Sequence, residues 1–251
     1  MPAPTAARSF DLTLLPRSLL FSIGLWLSVG VVGSMVILSF PLPFIRRYRI
    51  SKYWTRFNIW WLRTTCRIDY RVSGAEHIPD YPVIVMAKHQ STWETLFLHQ
   101  YLPPLAWVIK RELLWLPFFG WALVWRGPIA SNRQSGASAV KQVIRQGIAH
   151  LRQGQWVLIF PEGTRMAPGV RKRYGMGGAV LATHAGCPIL PVAHNAGEFW
   201  PRGVFLNRPG VIDVAFGPLI ASAGRSPQEL SRQVEEWIEG AMTRLGADSA
   251  S

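Results

Sequence analysis

Val83-Ile84-Val85-Met86-Ala87-Lys88-His89-Gln90-Ser91-Thr92-Trp93-Glu94-Thr95 passes from an unbroken apolar run, through a short polar stretch, into a helical pattern. The run Val83–Ala87 reads as a buried strand, and Ser91 or Thr92 can cap the helix that follows. A strand feeding a helix through a short loop is the unit of an α/β fold. The same alternation continues on both sides. Further strand candidates are Ile68–Val72, Leu105–Ile109, Trp156–Phe160, Ile189–His194 and Val211–Phe216. Helix candidates are Thr92–Tyr101, Ser138–Gln153, Gly177–Ala185 and Pro227–Leu245. The last is well marked, since Ser226 can cap it, Pro227 takes its first position and Glu229 completes a capping box. The expected fold is α/β, a mixed β-sheet flanked by helices, over residues 67–245.

Residues 1–66 read differently. No charged residue occurs from Leu19 to Phe44, and Pro41 and Pro43 should end a helix near Phe40. A helix over Leu19–Phe40 would be roughly 33 Å long, about the hydrocarbon thickness of a bilayer. The run is long for a secretory signal, and no small-x-small cleavage pattern precedes Pro41, so a retained membrane-binding helical extension is expected. Arg46, Arg47, Arg49, Lys52 and Arg56 follow at once, which favours the cytoplasmic side. Trp54, Phe57 and Trp61 then share one helical face, opposite Lys52, Arg56 and Arg63, as in an interfacial helix; packing on the domain core is the competing reading. Residues 246–251 read as a frayed tail.

With 27 Lys and Arg against 14 Asp and Glu, the net charge of +13 fits anionic membrane lipids. It would fit nucleic acid too, but no nucleic-acid motif spacing is present and the apolar N-terminal run has no use there. Cys66 and Cys187 form no metal-ligand pattern, nor do the histidines outside the loop, so neither a zinc site nor a disulfide framework is expected.

Two stretches carry chemistry. His89 lies in a strand-to-helix loop, where functional residues of α/β folds gather. Positions five apart on a regular helix diverge by about 140°, so His89 and Glu94 can meet only if His89 precedes the helix and folds back. Glu94 would then fix the imidazole tautomer and raise the basicity of the other nitrogen. Ser91–Glu94 is equally readable as a capping box, with His89 merely at a strand end. The second stretch, Phe160-Pro161-Glu162-Gly163-Thr164-Arg165, follows a strand-like run. Pro161 stops the strand, Gly163 permits a tight turn, and Arg165 can grip a phosphate bidentately.

Together these stretches resemble the glycerolipid acyltransferases, specifically the bacterial 1-acyl-sn-glycerol-3-phosphate acyltransferases. That family carries four blocks in order. His-x4-Asp is similar to His89…Glu94, with Glu in place of the usual Asp. Gly-x5-Arg matches Gly127…Arg133, Phe-Pro-Glu-Gly-Thr-Arg matches Phe160–Arg165 without change, and a Pro-centred apolar strand matches Pro188–Val192. The resemblance implies transfer of an acyl group from a thioester, acyl-CoA or acyl-carrier protein, to the 2-hydroxyl of lysophosphatidic acid. It implies His89 as base and Glu94 as its orienter. Arg133 and Arg165 would bind the acceptor phosphate, Glu162, Gly163 and Thr164 would shape its site, and Gly127 and Pro191 would support it. No metal or cofactor is implied. The expected location is the cytoplasmic face of a bacterial inner membrane. Other lyso-lipid acceptors, such as lyso-ornithine lipid, and a non-enzymatic membrane-binding protein are the alternatives.

Overall fold

The computed structural model describes residues 12–39, 41–116, 118–124, 127–131 and 136–248. After a 3-10 turn at Leu12–Leu14 come α1 (Leu15–Leu38) and α2 (Phe44–Cys66). The α/β part runs β1 (Ile68–Ser73), β2 (Ile84–Ala87), α3 (Trp93–Tyr101), β3 (Leu105–Lys110), α4 (Phe119–Val124) and β4 (Ile129–Ser131). It continues with α5 (Gly136–Arg152), β5 (Trp156–Ile159), α6 (Gly177–Ala185), β6 (Ile189–His194), α7 (Ala196–Phe199), β7 (Gly210–Phe216) and α8 (Pro227–Asp248).

The strands form one sheet in the order β1-β7-β6-β2-β5-β3-β4. From β6 to β4 all neighbours are parallel, β7 runs antiparallel to β6, and β1 is parallel to β7. The sheet is therefore mixed. Its central strands are buried on both faces, which is why they read as continuous apolar runs. Alternate residues of β2, with Val83 just before it, serve separate cores. Val83, Val85 and Ala87 face the side covered by α2 and α3, with Leu62, Trp93 and Phe97. Ile84 and Met86 face the side of α5, α6 and α8, with Val143, Leu181, Leu230, Val234 and Ile238. The strand's two-residue period thus puts a helical layer on each face. Because β2, β3, β5 and β6 run the same way, the loops after them gather at one edge of the sheet.

Several expectations are corrected. The N-terminal extension is not a separate domain, because Phe21, Ile59, Leu62 and Cys66 are buried in the same core as β1 and β2. The first helix opens four residues before Leu19, with Pro16 in its first turn, and ends at Leu38; Phe40 lies outside the described residues. Trp54 and Trp61 pack against the core rather than facing outward. Trp54 Nε1 donates to Ser28 Oγ of α1 at 3.0 Å, and a Cβ added at Gly24 would collide with the Trp61 indole. The outward aromatics of α2 are instead Tyr53, Phe57 and Trp60. The stripe α2 buries holds Ser51, Thr55 and Asn58, so a search for apolar periodicity misses it. The short β4 and α4 carry too few residues for a periodic signal. Residues 246–248 belong to α8, and 249–251 lie outside the described residues.

Candidate active site

β2 ends at Ala87, and its chain continues into the loop carrying His89 before α3 begins. Lys88 N–H still donates to Val192 O at 3.0 Å, so the loop leaves the sheet at a fixed point. His89 folds back over the first turn of α3, and its Nδ1 lies 2.7 Å from Glu94 Oε1. The same carboxylate accepts the N–H groups of Gln90 and Ser91, at 3.0 and 2.9 Å. Ser91 Oγ in turn accepts the N–H of Trp93 at 3.1 Å. The capping arrangement and the His–Glu pair therefore coexist, and one carboxylate serves both.

Glu94 is wholly buried, while the His89 side chain is 17% exposed. As an acceptor of backbone N–H groups, Glu94 dictates that His89 carries its proton on Nδ1, which turns the Nε2 lone pair outward. Burial opposes ionisation of Glu94, but the hydrogen bonds it accepts from His89 and the Ser91 N–H hold the carboxyl below the usual carboxylate range. The Phe160 ring stacks on the imidazole at 4.0 Å between centroids and 15° between planes. The ring is thus held at one edge and on one face.

The Phe160–Arg165 stretch wraps the same loop. Gly163 adopts φ 72°, a left-handed conformation that glycine takes at no steric cost, and its N–H closes a turn to Phe160 O at 3.0 Å. Met166 N–H donates to His89 O at 2.7 Å. Arg165 Nη1 donates to Thr92 Oγ1 at 2.8 Å, which sets its guanidinium beside the start of α3. Thr164 Oγ1 accepts from Arg202 Nη1 at 3.0 Å.

Glu162 is placed differently from the expected phosphate site. Its side chain is buried, one oxygen accepts the His89 N–H at 2.8 Å, and the other lies 2.7 Å from Lys88 Nζ. Burial pushes its carboxyl up, partly offset by Lys88. A buried anion paired in this way supports the loop from behind. Pro191 sits inside the sheet, in register with Met86 of β2, and lines no surface near His89. Gly127 takes φ 64° in the turn that leads into β4. Arg133 lies outside the described residues.

The structure also brings in residues the sequence reading left aside, namely Phe160, Lys88, His194 and Arg202. His194 is fully buried at the end of β6, 4.0 Å from Glu94 Oε2. Its Nε2 donates to Lys88 O at 2.9 Å and its Nδ1 accepts from Ala196 N–H at 3.3 Å, the pattern of a neutral ring. Only the tertiary fold brings β6 beside β2, so no local spacing announces this contact.

A family model described as Acyltransferase matches residues 69–195, which contain all of this geometry except Ala196 and Arg202. The chain belongs to the acyltransferase family. It is 44% identical over 234 residues to a 1-acyl-sn-glycerol-3-phosphate acyltransferase of Pseudomonas aeruginosa, covering 91% of each protein. It is 32% identical over 152 residues to the protein of that name from Borreliella burgdorferi, a match spanning 59% of this chain and 60% of that protein. The crystal structure of a 1-acyl-sn-glycerophosphate acyltransferase from Thermotoga maritima has the same fold, with a TM-score of 0.79 over 94% of this chain and 97% of that one, at 23% identity.

For an acyltransferase the arrangement offers a proton acceptor with a fixed tautomer, a buried carboxylate to steady the imidazolium, and a guanidinium beside a helix N-terminus. It also has a pH signature. Burial holds the His194 pKa below its ordinary value of 6.5, whereas the unfolded chain titrates normally. As pH falls below about 6.5 the unfolded state gains the proton first, so stability is full above that value and declines below it. Melting temperature should fall as pH drops below about 6.5, and His194→Gln should flatten that slope. An unchanged slope in the variant would mean that His194 does not carry it.

Proposed function

We propose that this acyltransferase moves a fatty acyl group from a thioester, acyl-CoA or acyl-carrier protein, to the 2-hydroxyl of 1-acyl-sn-glycerol 3-phosphate, giving phosphatidic acid. The observation that carries this reading is the His89–Glu94 pair at 2.7 Å with Arg165 bonded to Thr92 on the same helix turn. His89 Nε2 takes the hydroxyl proton as the oxygen attacks the thioester carbonyl carbon. The tetrahedral intermediate then expels the sulfur, which leaves as a thiol after taking the proton from His89. No acyl-enzyme is required. Glu94 stabilises the imidazolium between the two proton transfers. Arg165 is three residues along the tight turn from Glu162 and is bonded to Thr92 at the start of α3, whose N-terminus adds partial positive charge for a phosphate.

The membrane enters through α1. Its outward residues Trp26, Leu27, Val31 and Leu38 are each more than 60% exposed. The opposite side is attached to the domain along its length. Ser18 Oγ accepts from Asn207 N–H, Phe21 packs edge-on against Trp200, Asn58 Nδ2 donates to Ser28 Oγ, and Gly33 lies against Phe118. A helix fastened at both ends to the catalytic domain lies along the bilayer surface, dipping into one leaflet. Trp115 and Trp121, in the connection after β3, are also exposed and share the sheet edge that carries His89. A lyso-lipid would thus meet the base without leaving the membrane. The basic residues Arg46, Arg47 and Arg49 favour the cytoplasmic face of a bacterial inner membrane.

The test compares lysophosphatidic acid with its dephosphorylated analogue. Arg165→Ala should raise KM for lysophosphatidic acid about 10–100-fold, as expected for loss of a charge-assisted phosphate contact, with little change for the analogue. Equal effects on both acceptors would remove Arg165 from the phosphate site.

A further inference from the structure

Behind the His89 loop lies a charge cluster that the chemical steps do not use. The Lys88 side chain is 2% exposed, and its Nζ sits 2.7 Å from Glu162 Oε1 and 2.7 Å from Glu239 Oε1. Glu239 belongs to α8, outside the matched segment 69–195. The Tyr174 hydroxyl donates to the same Glu239 oxygen at 3.0 Å, and Arg171 Nε lies 3.4 Å from the other.

Stability is a poor reason for such a cluster. Each charge taken out of water costs several kcal/mol, and apolar replacements of equal volume are often as stable or more so. α8 is already fixed by Leu230, Val234, Ile238 and Ala241, all buried in the core. What the cluster does supply is geometry. Lys88 is held at three points: its N–H on Val192 O, its carbonyl on His194 Nε2, and its ammonium between Glu162 and Glu239. The far oxygen of Glu162 then returns to the same loop and accepts the His89 N–H. The chain Glu239–Lys88–Glu162–His89 is closed, and it determines where the His89 peptide sits.

We propose that Glu239 is a positioning residue for acyl transfer: through Lys88 and Glu162 it fixes the peptide from which His89 projects, and so makes the C-terminal helix part of the catalytic apparatus. The proposal rests on His89 being the base.

Glu239→Gln is the informative variant, because it keeps the shape while Lys88 retains Glu162 as its counter-ion. A displaced base lowers turnover without weakening substrate binding. We expect kcat to fall about 10–100-fold, with KM for donor and acceptor within about twofold of wild type. Tyr174→Phe should give a smaller loss in kcat. The double variant should be no slower than Glu239→Gln alone, because both residues act on one carboxylate. Glu236→Gln, which alters an exposed pair with Arg232 at 3.8 Å on the same helix, should leave kcat unchanged. An unchanged kcat in folded Glu239→Gln, a rise in KM with kcat intact, or additive losses in the double variant would each overturn the proposal. If Glu239→Gln fails to fold, an unchanged kcat in Tyr174→Phe overturns it and a lowered kcat with constant KM supports it. Rates are measured with whichever lyso-lipid the wild type turns over, so an error about the acceptor leaves this test intact.

Discussion

His89→Ala should lower the rate of acyl transfer by about 10³-fold or more, while binding to anionic vesicles stays at the wild-type level. A positioned general base contributes roughly 10²–10⁴-fold. Among the described residues, His89 Nε2 is the basic atom that the Glu94 contact and the Phe160 ring hold in one orientation. The substitution leaves Glu94 with the Gln90 and Ser91 N–H groups, and the side chain lost is partly exposed, so the fold should survive. In the proposed arrangement vesicle binding rests on the exposed apolar face of α1 and not on the His89 loop. If turnover fell while vesicle binding also vanished, loss of the membrane surface rather than loss of a base would account for it.

Glu94→Gln should cost about 10²–10⁴-fold in kcat, and Glu94→Asp about 10–100-fold. The glutamine case follows from hydrogen-bond inventory. The carboxylate accepts from His89 on one oxygen and from the Ser91 N–H on both. An amide has one acceptor oxygen, so its NH2 must face either the ring N–H or a backbone N–H, donor against donor. With the NH2 toward the ring the imidazole loses its tautomer; with the oxygen there, the NH2 meets the Ser91 N–H, and in both cases the negative charge that steadies the imidazolium is gone. The aspartate case is one of reach. Shortening the side chain by one methylene withdraws the oxygen by about 1.5 Å, and a 2.7 Å bond stretched that far is no longer a hydrogen bond. Both variants also leave buried N–H groups short of a partner, at about 1–3 kcal/mol. Thermal stability should therefore fall with activity, and kcat per folded molecule is the quantity to compare. In this chain Glu94 is the length its helix position requires, since it must reach back past Ser91 to the ring.

The fold was legible wherever local periodicity decides the structure. The apolar runs of β2, β5 and β6 are buried on both faces and read as strands without ambiguity. The capping box at Ser226–Glu229 is observed as written, with Glu229 accepting from Ser226 N–H at 2.9 Å and from its hydroxyl at 2.8 Å. What was not legible depends on distant packing. The polar stripe of α2 is buried because Tyr48, Ser51 and Asn58 find partners on α3, the following turn and α1; Ser51 Oγ lies 3.0 Å from the buried His99 ring. Glu162 looks displayed in sequence, since it follows a strand and a proline. Only Lys88, 74 positions earlier by number, reveals that its carboxylate turns inward. His194 and Glu239 reach the loop from β6 and α8, and no spacing within either element hints at the other.

The most direct test of the central claim is an acceptor panel on purified membranes. Lysophosphatidic acid and other lyso-lipids, including lyso-ornithine lipid, are offered with acyl-CoA and with acyl-carrier protein, and the product is analysed for the position of the new chain. The account predicts phosphatidic acid carrying the donor's chain at position 2, and no product with His89→Ala. Turnover of another lyso-lipid with none of lysophosphatidic acid, or product formation by His89→Ala at near the wild-type rate, would contradict it.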